Sequence, residues 1–491
     1  MSATLKELVW FVPLGLVLVG ALTVICLDLV VPPKVPRRFL GFVSLGFLAG
    51  VIGLSLHFLG ENPRTAFSGL VTDDDFSRCF TLIFAIASAL AALIAMGRLP
   101  DQGVIRGEFY ALLLISTAGA ALLSRANDLM LLFVGLECLS IPAYVLAAGV
   151  RKDLRSAEAG WKYFILGAFA TGLWVYGMAL IYGASGSTEL SAIARATTFQ
   201  PWTQQFLLIF GTILIFAALC FKAGVVPFHM WVPDVYQGSP TPATAFFATA
   251  IKAAAFAALL RVLYVALPEL RAGTSGANYA GWFNWLHALA ILTMTVPNII
   301  ALAQTDVKRL LAYSSIAHTG YLLIGLLAEH EGGTAILFYL GIYTFMTAGS
   351  FAAVAFFERE DGRHDLSHYV GAARHHPWMA AAFAVFLFSL AGIPPTAGFF
   401  GKLYLFRAAI RYDLVFLTVI AVLNSLVSAV YYLRVIVAMY MQEESEASQD
   451  RARPSLAIGV AVGICLLFVL LLGVNPGPYL EMASLSIATL F

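Results

Sequence analysis

Four charged residues stand where a membrane leaves little room for charge. Glu137, Lys222, Lys252 and Lys402 each fall inside or beside a long apolar run. An ionisable group in mid-span costs about 2.5–3.5 kcal/mol on insertion scales, which makes each one a functional candidate by default. Hydrocarbon disfavours the charged form of an amine, and a neighbouring carboxylate restores it. A lysine held between those opposed pulls changes protonation when the acid moves or is neutralised. The chemistry these residue types can do is proton transfer. Glu137 lies nine residues past Asp128, roughly 14 Å into its span. Lys252 follows Pro242 by ten residues, about 15 Å along a helix and so about half the depth of a hydrocarbon core. Lys222 closes an apolar run, and Lys402 lies seven residues after Pro395. A Glu137–Lys222 pair would offset the cost of burying each partner, although a static ion pair locking two helices fits the same residues. Lys402 could also snorkel to an interface if its half-helix is short.

A second group is less specific. Glu158 and Lys162 form an i, i+4 pair, which equally describes an interfacial salt bridge. His229, next to Met230-Trp231, could relay a proton through either ring nitrogen, and His318 sits among hydroxyls in Ser314-Ser315-Ile316-Ala317-His318-Thr319. Either histidine could instead be a satisfied structural donor. Asp306, Lys308 and Arg309 read as a helix cap and a membrane anchor.

The elements that position these groups are apolar runs of span length, about fourteen of them: near 8–31, 40–59, 79–97, 107–124, 128–150, 158–183, 204–237, 242–266, 282–303, 308–327, 333–357, 378–411, 413–441 and 455–474. Two are interrupted. Ala223-Gly224-Val225-Val226-Pro227 breaks the seventh, and Ala391-Gly392-Ile393-Pro394-Pro395 breaks the twelfth, 168 residues on from Ala223 to Ala391. Each proline denies a hydrogen bond to the carbonyl four residues back, Ala223 in the first break. Pro142 does the same to Cys138, just past Glu137. Thr241-Pro242 opens the eighth span, with Thr241 expected as its N-cap. The two breaks are offset by five spans, an odd number, so the halves would have opposite topology. Inverted repeats with matched broken helices point to a transport site at the midplane. The predicted fold is therefore an all-α polytopic membrane protein of one transmembrane domain. Its parts are peripheral N-terminal spans (1–106), a first inverted repeat (107–266), a second (282–441) and a last span (455–474).

Composition agrees. Of 491 residues, 60 % are apolar and 12 % charged, about half the charged share of a soluble domain. A net charge of +1 argues against a nucleic-acid partner. Cys26, Cys79, Cys138, Cys220 and Cys465 are scattered, expected as small buried residues, and make no C-x-x-C pair. No cluster, metal or nucleotide motif appears, so no cofactor is expected in this chain. The first apolar run is too long for a signal peptide. Lysine and arginine divide unevenly between alternate loops. Lys34, Arg37, Arg38, Arg98, Arg106, Arg151, Lys152, Arg155, Lys308, Arg309, Arg359, Arg363, Arg374, Arg451 and Arg453 lie on one side. Lys6, Arg64, Arg78, Arg125, Arg195, Arg271, Arg407 and Arg411 lie on the other. That bias puts the first side in the cytoplasm and both termini outward.

Six stretches carry a family resemblance: GLECLSIPAYVLAA (135–148), AGWKYFILGAFATG (159–172), FKAGVVPFHMWVPDVYQGSPTPATAFF (221–247), LAQTDVKRLLAYSSIAHTGYLLIGL (302–326), LAGIPPTAGFFGKLYLF (390–406) and NSLVSAVYYLRVI (424–436). They resemble the subunit N family of proton-pumping NADH-quinone oxidoreductase (respiratory complex I), an antiporter-like membrane subunit. WVPDVYQGSPTP favours that family over its sister subunits L and M. Lys402, where M has a glutamate, and the lack of a long lateral helix point the same way. The resemblance implies proton translocation in a bacterial cytoplasmic membrane, driven by quinone reduction elsewhere. NADH, FMN, iron–sulfur clusters and quinone would sit on partner subunits, with neighbouring antiporter-like subunits and lipids around this chain. It implies a coupling pair of Glu137 and Lys222, a central relay at Lys252 and a terminal lysine at Lys402. Glu158, Lys162 and His229 coincide with family positions linked to activity. Three other functions fit the residues alone: a subunit of a multisubunit cation/proton antiporter, a free-standing carrier of an organic solute, and a passive scaffold.

Overall fold

Apolar runs of this length have one economical solution in hydrocarbon, a helix that satisfies its own backbone. A computed structural model describes residues 11–32, 35–99, 107–150, 152–197, 202–271, 281–358, 362, 364–443 and 454–490, and they are nearly all helical. The labelled helices are α1 (Val12–Val30), α2 (Arg38–Phe58), α3 (Asp75–Arg98), α4 (Gly107–Arg125), α5 (Leu129–Ala147), α6 (Leu154–Ser185), α7 (Leu190–Thr197), α8 (Trp202–Ala223) and α9 (Trp231–Gly238). They continue as α10 (Thr241–Ala266), α11 (Trp282–Leu302), α12 (Val307–Leu327), α13 (Glu329–Phe357), α14 (Pro377–Ala391), α15 (Ala397–Arg411), α16 (Val415–Met441), α17 (Leu456–Val474) and α18 (Gly477–Ala488). Among the described residues thirteen helices are long and apolar enough to cross a membrane. The interrupted α14–α15 pair, left out of that thirteen, is the twelfth of the fourteen spans in the sequence reading. Lys6, Lys34, Arg106, Arg151, Arg359, Arg363, Arg451 and Arg453, used for the charge bias, lie outside the described residues.

Local chemistry sets the helix starts. Asp74 and Ser77 form a reciprocal capping box at α3, and the carboxylates of Asp128, Asp153 and Asp306 accept from first-turn amides of α5, α6 and α12. The cap expected at Asp306 is present. The cap expected at Thr241 is not: Pro240 precedes the helix, and the Thr241 hydroxyl donates to Glu358 at 2.9 Å instead. Among the described residues, three of the elements with no counterpart in the sequence reading stand out. They are α7, α18 and a hairpin of β1 (Arg64–Ala66) and β2 (Val71–Asp73), paired antiparallel with Arg64 opposite Asp73. Their segments are too short or too mixed in polarity to register as spans.

Burial divides the bundle. α10 and α12 are enclosed on all sides, and α3 and α13 nearly so. α1, α6, α16 and α17 present large apolar side chains outward, among them Leu22, Phe169, Phe416, Leu426 and Leu467. Cys79, Cys220 and Cys465 are buried as expected, whereas Cys26 and Cys138 lie on outward faces. The two most enclosed helices carry Lys252 and His318.

Candidate functional site

Both interruptions occur where the glycine–proline pattern places them. α8 stops at Ala223 and α9 begins at Trp231, while α14 stops at Ala391 and α15 begins at Ala397. Gly224 and Gly392 take φ of +75° and +90°, a region that disfavours any Cβ. The carbonyls that Pro227 and Pro395 leave without a helical donor are not bare. The Thr319 hydroxyl donates to Ala223 O at 3.0 Å, and the Lys402 ammonium donates to Ala391 O at 2.9 Å. The first break is thus closed by a hydroxyl from α12, the second by Lys402 itself. Thr293 adds a second brace by accepting from Val226 N at 3.1 Å.

Lys222, Lys252 and Lys402 are each 4 % exposed. That rules out snorkelling for Lys402 within this chain. Lys222 donates to the Tyr163 hydroxyl at 3.5 Å and lies over the rings of Tyr144 and Tyr163, 5.4 and 5.1 Å from their centroids. Glu137 is half-buried and accepts from the Thr171 hydroxyl at 2.6 Å. The two groups expected as a pair therefore make no ion pair here. The aromatic faces hold the amine and Thr171 holds the acid, although the charges remain within electrostatic reach.

Lys252 follows directly on a π turn, Phe247–Ile251, a distortion often found at functional sites. Its ammonium donates to the backbone carbonyl of Ser315 and, at 2.6 Å, to the Ser315 hydroxyl, with the Tyr343 ring 5.1 Å away. Three residues beyond Ser315, His318 is 1 % exposed and bonded through both ring nitrogens. Nδ1 meets the Tyr339 hydroxyl, and Nε2 meets the Tyr432 hydroxyl at 3.1 Å, which in turn meets Ser314. Lys402 donates to Ser425 at 2.8 Å and stands 5.2 Å from the Tyr321 ring centroid. Serine and tyrosine hydroxyls both donate and accept, so an ammonium on one and an imidazole on another form the ends of proton-carrying steps.

The remaining candidates gather at one end of α6 and α9. Lys162 bridges Glu158 and Asp234, each at 2.7 Å, and Arg309 holds the other oxygen of Asp234 at 2.7 Å. Glu158, Lys162 and Asp234, with Arg155 and Gln237, line a half-open polar cavity of about 290 Å³. Tyr163 lies one residue beyond Lys162, and its ring stacks on Trp231 at 4.3 Å between this cavity's elements and Lys222. His229, half-buried after the first break, leaves Nδ1 without a hydrogen-bond partner and joins neither group. Arg309 does more than anchor a helix. Tyr163, Tyr343, Tyr432 and Ser425 were not singled out from sequence. The one available signal was polar residues recurring at helical spacing within apolar spans, as in Tyr339 and Tyr343.

A family model described as NADH:quinone oxidoreductase/Mrp antiporter, TM, matches residues 126–428. NADH-quinone oxidoreductase subunit N of Trichlorobacter lovleyi is 42 % identical over 454 residues, covering 92 % of this chain and 91 % of the relative. That of Moorella thermoacetica is 40 % identical and covers 96 % of each. Among solved structures, a chain of respiratory complex I from Thermus thermophilus aligns with a TM-score of 0.80 and 36 % identity, over 96 % of this chain and 99 % of that one. A chain of the Mrp complex from Dietzia reaches 0.85 at 22 % identity, over 98 % and 97 %, a likeness of fold alone.

Proposed function

The chain belongs to the NADH-quinone oxidoreductase subunit N family, and from that premise we propose that it moves protons through the membrane interior along Glu137, Lys222, Lys252, His318 and Lys402. Quinone reduction in partner subunits drives the movement, and NADH, FMN and iron–sulfur clusters belong to those partners. Neighbouring membrane subunits of the complex and lipid cover its apolar flanks. The chain lies in a bacterial cytoplasmic membrane with both termini outward, and its two halves are inverted repeats around the two breaks.

Protons are taken up on the side richer in lysine and arginine, where Glu158, Lys162 and Asp234 line the polar cavity. They reach Lys222 or Lys252, pass sideways by the hydroxyl and imidazole groups of α12 and α13, and leave outward through Lys402. Changes in the Glu137–Lys222 distance gate the traffic by shifting how tightly the amine holds its proton. The observation that carries this reading is the environment of the three amines. All are buried, and Lys252 and Lys402 donate to neutral hydroxyls and carbonyls rather than to carboxylates. A structural ion-pair lock has no use for such an arrangement.

Lys252→Ala in the assembled complex tests it. Proton transfer per electron should drop while quinone reduction still proceeds, and an unchanged ratio would remove Lys252 from the path. The fold shared with the Mrp complex keeps cation/proton exchange as the second reading. Sodium-dependent exchange in the absence of NADH oxidation would favour it.

A further inference from the structure

Lys252 sits midway along α10, and both ends of that helix are tied by buried charge to the same neighbour, α3. At the α10 C-terminal end, Arg261 clasps Asp74, the cap of α3, with Nη2 at 2.9 and 2.8 Å from the two carboxylate oxygens, and donates from Nε to Ser124 O at 2.6 Å. Arg78 clasps Asp73 at 2.8 Å and Asp75 at 2.9 Å. Arg125 approaches Asp73 at 3.4 Å and donates to Thr81 at 2.5 Å. Asp73, Asp74, Arg78, Arg125 and Arg261 are all 3 % exposed or less.

At the N-terminal end, Glu358 collects the Arg98 guanidinium at 3.1 Å, the Thr241 hydroxyl at 2.9 Å and His364 Nε2 at 3.4 Å. Lys308 donates to Ser239 O at 2.7 Å beside it. Arg98 ends α3 and Thr241 begins α10. Between the two clusters α3 packs along α10, including the π turn that precedes Lys252.

We propose that these two clusters are proton seals, which isolate Lys252 from both membrane faces so that it exchanges protons only sideways within the bundle. The proposal rests on the relay reading above. It gives α3 the task of a strut whose two ends stopper the helix it flanks. The chemistry suits the task. Arginine does not release its proton in a protein, and its charge-assisted bonds to carboxylates are short and strong. The outer cluster, nine residues past Lys252 and so about 14 Å away, is a set of buried guanidinium–carboxylate clasps that stands between the amine and that end of the helix. Fixed arginines also act as electrostatic barriers to protons in other membrane pores.

The test uses the whole complex in liposomes and three readings: quinone reduction, protons moved per electron, and passive proton permeability under an imposed pH gradient without NADH. Arg261→Gln opens the outer cluster, and Glu358→Gln, an isosteric change that keeps a hydrogen-bond partner for Thr241, opens the inner one. Each should raise passive permeability severalfold with quinone reduction retained, and adding Lys252→Ala should abolish the extra leak. That dependence separates a seal from a mere strut, because a loosened bundle leaks with or without Lys252. Unchanged permeability in both assembled variants overturns the proposal, as does a leak that survives Lys252→Ala. If Lys252→Ala alone lowers protons per electron while neither seal variant leaks, the seals fail and the relay stands. If Lys252→Ala alone pumps normally, the relay itself fails.

Discussion

Replacing Lys402 by arginine separates a proton carrier from a fixed cation. The ammonium of Lys402 donates to Ala391 O at 2.9 Å and to Ser425 at 2.8 Å, which closes the second helix break. A charged donor in such bonds contributes about 1.5–3 kcal/mol each. Arginine can supply both bonds and the charge, so a purely structural Lys402 tolerates the change. Proton release is another matter. A guanidinium is about two to three pK units less acidic than an amine, or about 2.7–4.1 kcal/mol. Release from position 402 then slows by roughly 100- to 1000-fold if no other step intervenes. The assay is NADH-driven acidification of liposomes holding the assembled complex, with quinone reduction followed in parallel. Lys402→Arg is expected to assemble, retain its melting temperature within a few degrees and lose protons per electron. Lys402→Met should lose both that ratio and some thermal stability. Full pumping in the arginine variant would refute the carrier role and leave Lys402 as a clamp.

Other consequences follow from the same geometry. Gly392→Ala forces a Cβ onto a residue at φ +90° and brings it 3.0 Å from Lys402 Cδ. The strain is about 1–2 kcal/mol, and a lower melting temperature together with weaker pumping should appear. Thr319→Val strips the Ala223 carbonyl of its donor and should cost about 1–3 kcal/mol, read as a fall in complex stability. Glu158→Gln should barely change stability, by about 0.5 kcal/mol or less, because Glu158 and Lys162 are 62 % and 39 % exposed and Asp234 still holds the amine. Burial works against the charge of Glu358, yet His364, Arg98 and Lys308 together hold its carboxyl below the ordinary value of 4.5. A depressed carboxyl stabilises the fold above that value, and the contribution drains away as pH falls below it. Melting temperature should therefore decline on the acid side of pH 4.5, with a shallower slope in Glu358→Gln.

The spans and the two breaks were legible because their signals are local. Runs of apolar residues, a glycine and a proline carry the information within a few positions. Lys222, Lys252 and Lys402 were legible for a related reason, since a charge inside such a run has few innocent explanations. What those amines touch was not legible. Ser315 and Tyr343 meet Lys252 across 63 and 91 positions of sequence (252 to 315, 252 to 343), and no periodicity within one helix records which neighbour it faces. The Glu137–Lys222 contact failed because charge complementarity took no account of Tyr144, Tyr163 and Thr171, which satisfy the two groups separately. Thr241 looked like a cap from its place before a proline, and only the approach of Glu358 from the end of α13 redirects its hydroxyl. The hairpin and α18 were missed because hydropathy over a span-length window averages such short elements away.

Lys222→Ala is the most direct measurement. Lys222 is 4 % exposed, lies over two tyrosine rings and belongs to the helix that breaks one residue later. In the assembled complex, quinone reduction and the proton gradient are measured on the same liposomes. The account predicts fewer protons moved per electron. Normal electron transfer together with a normal gradient would contradict it.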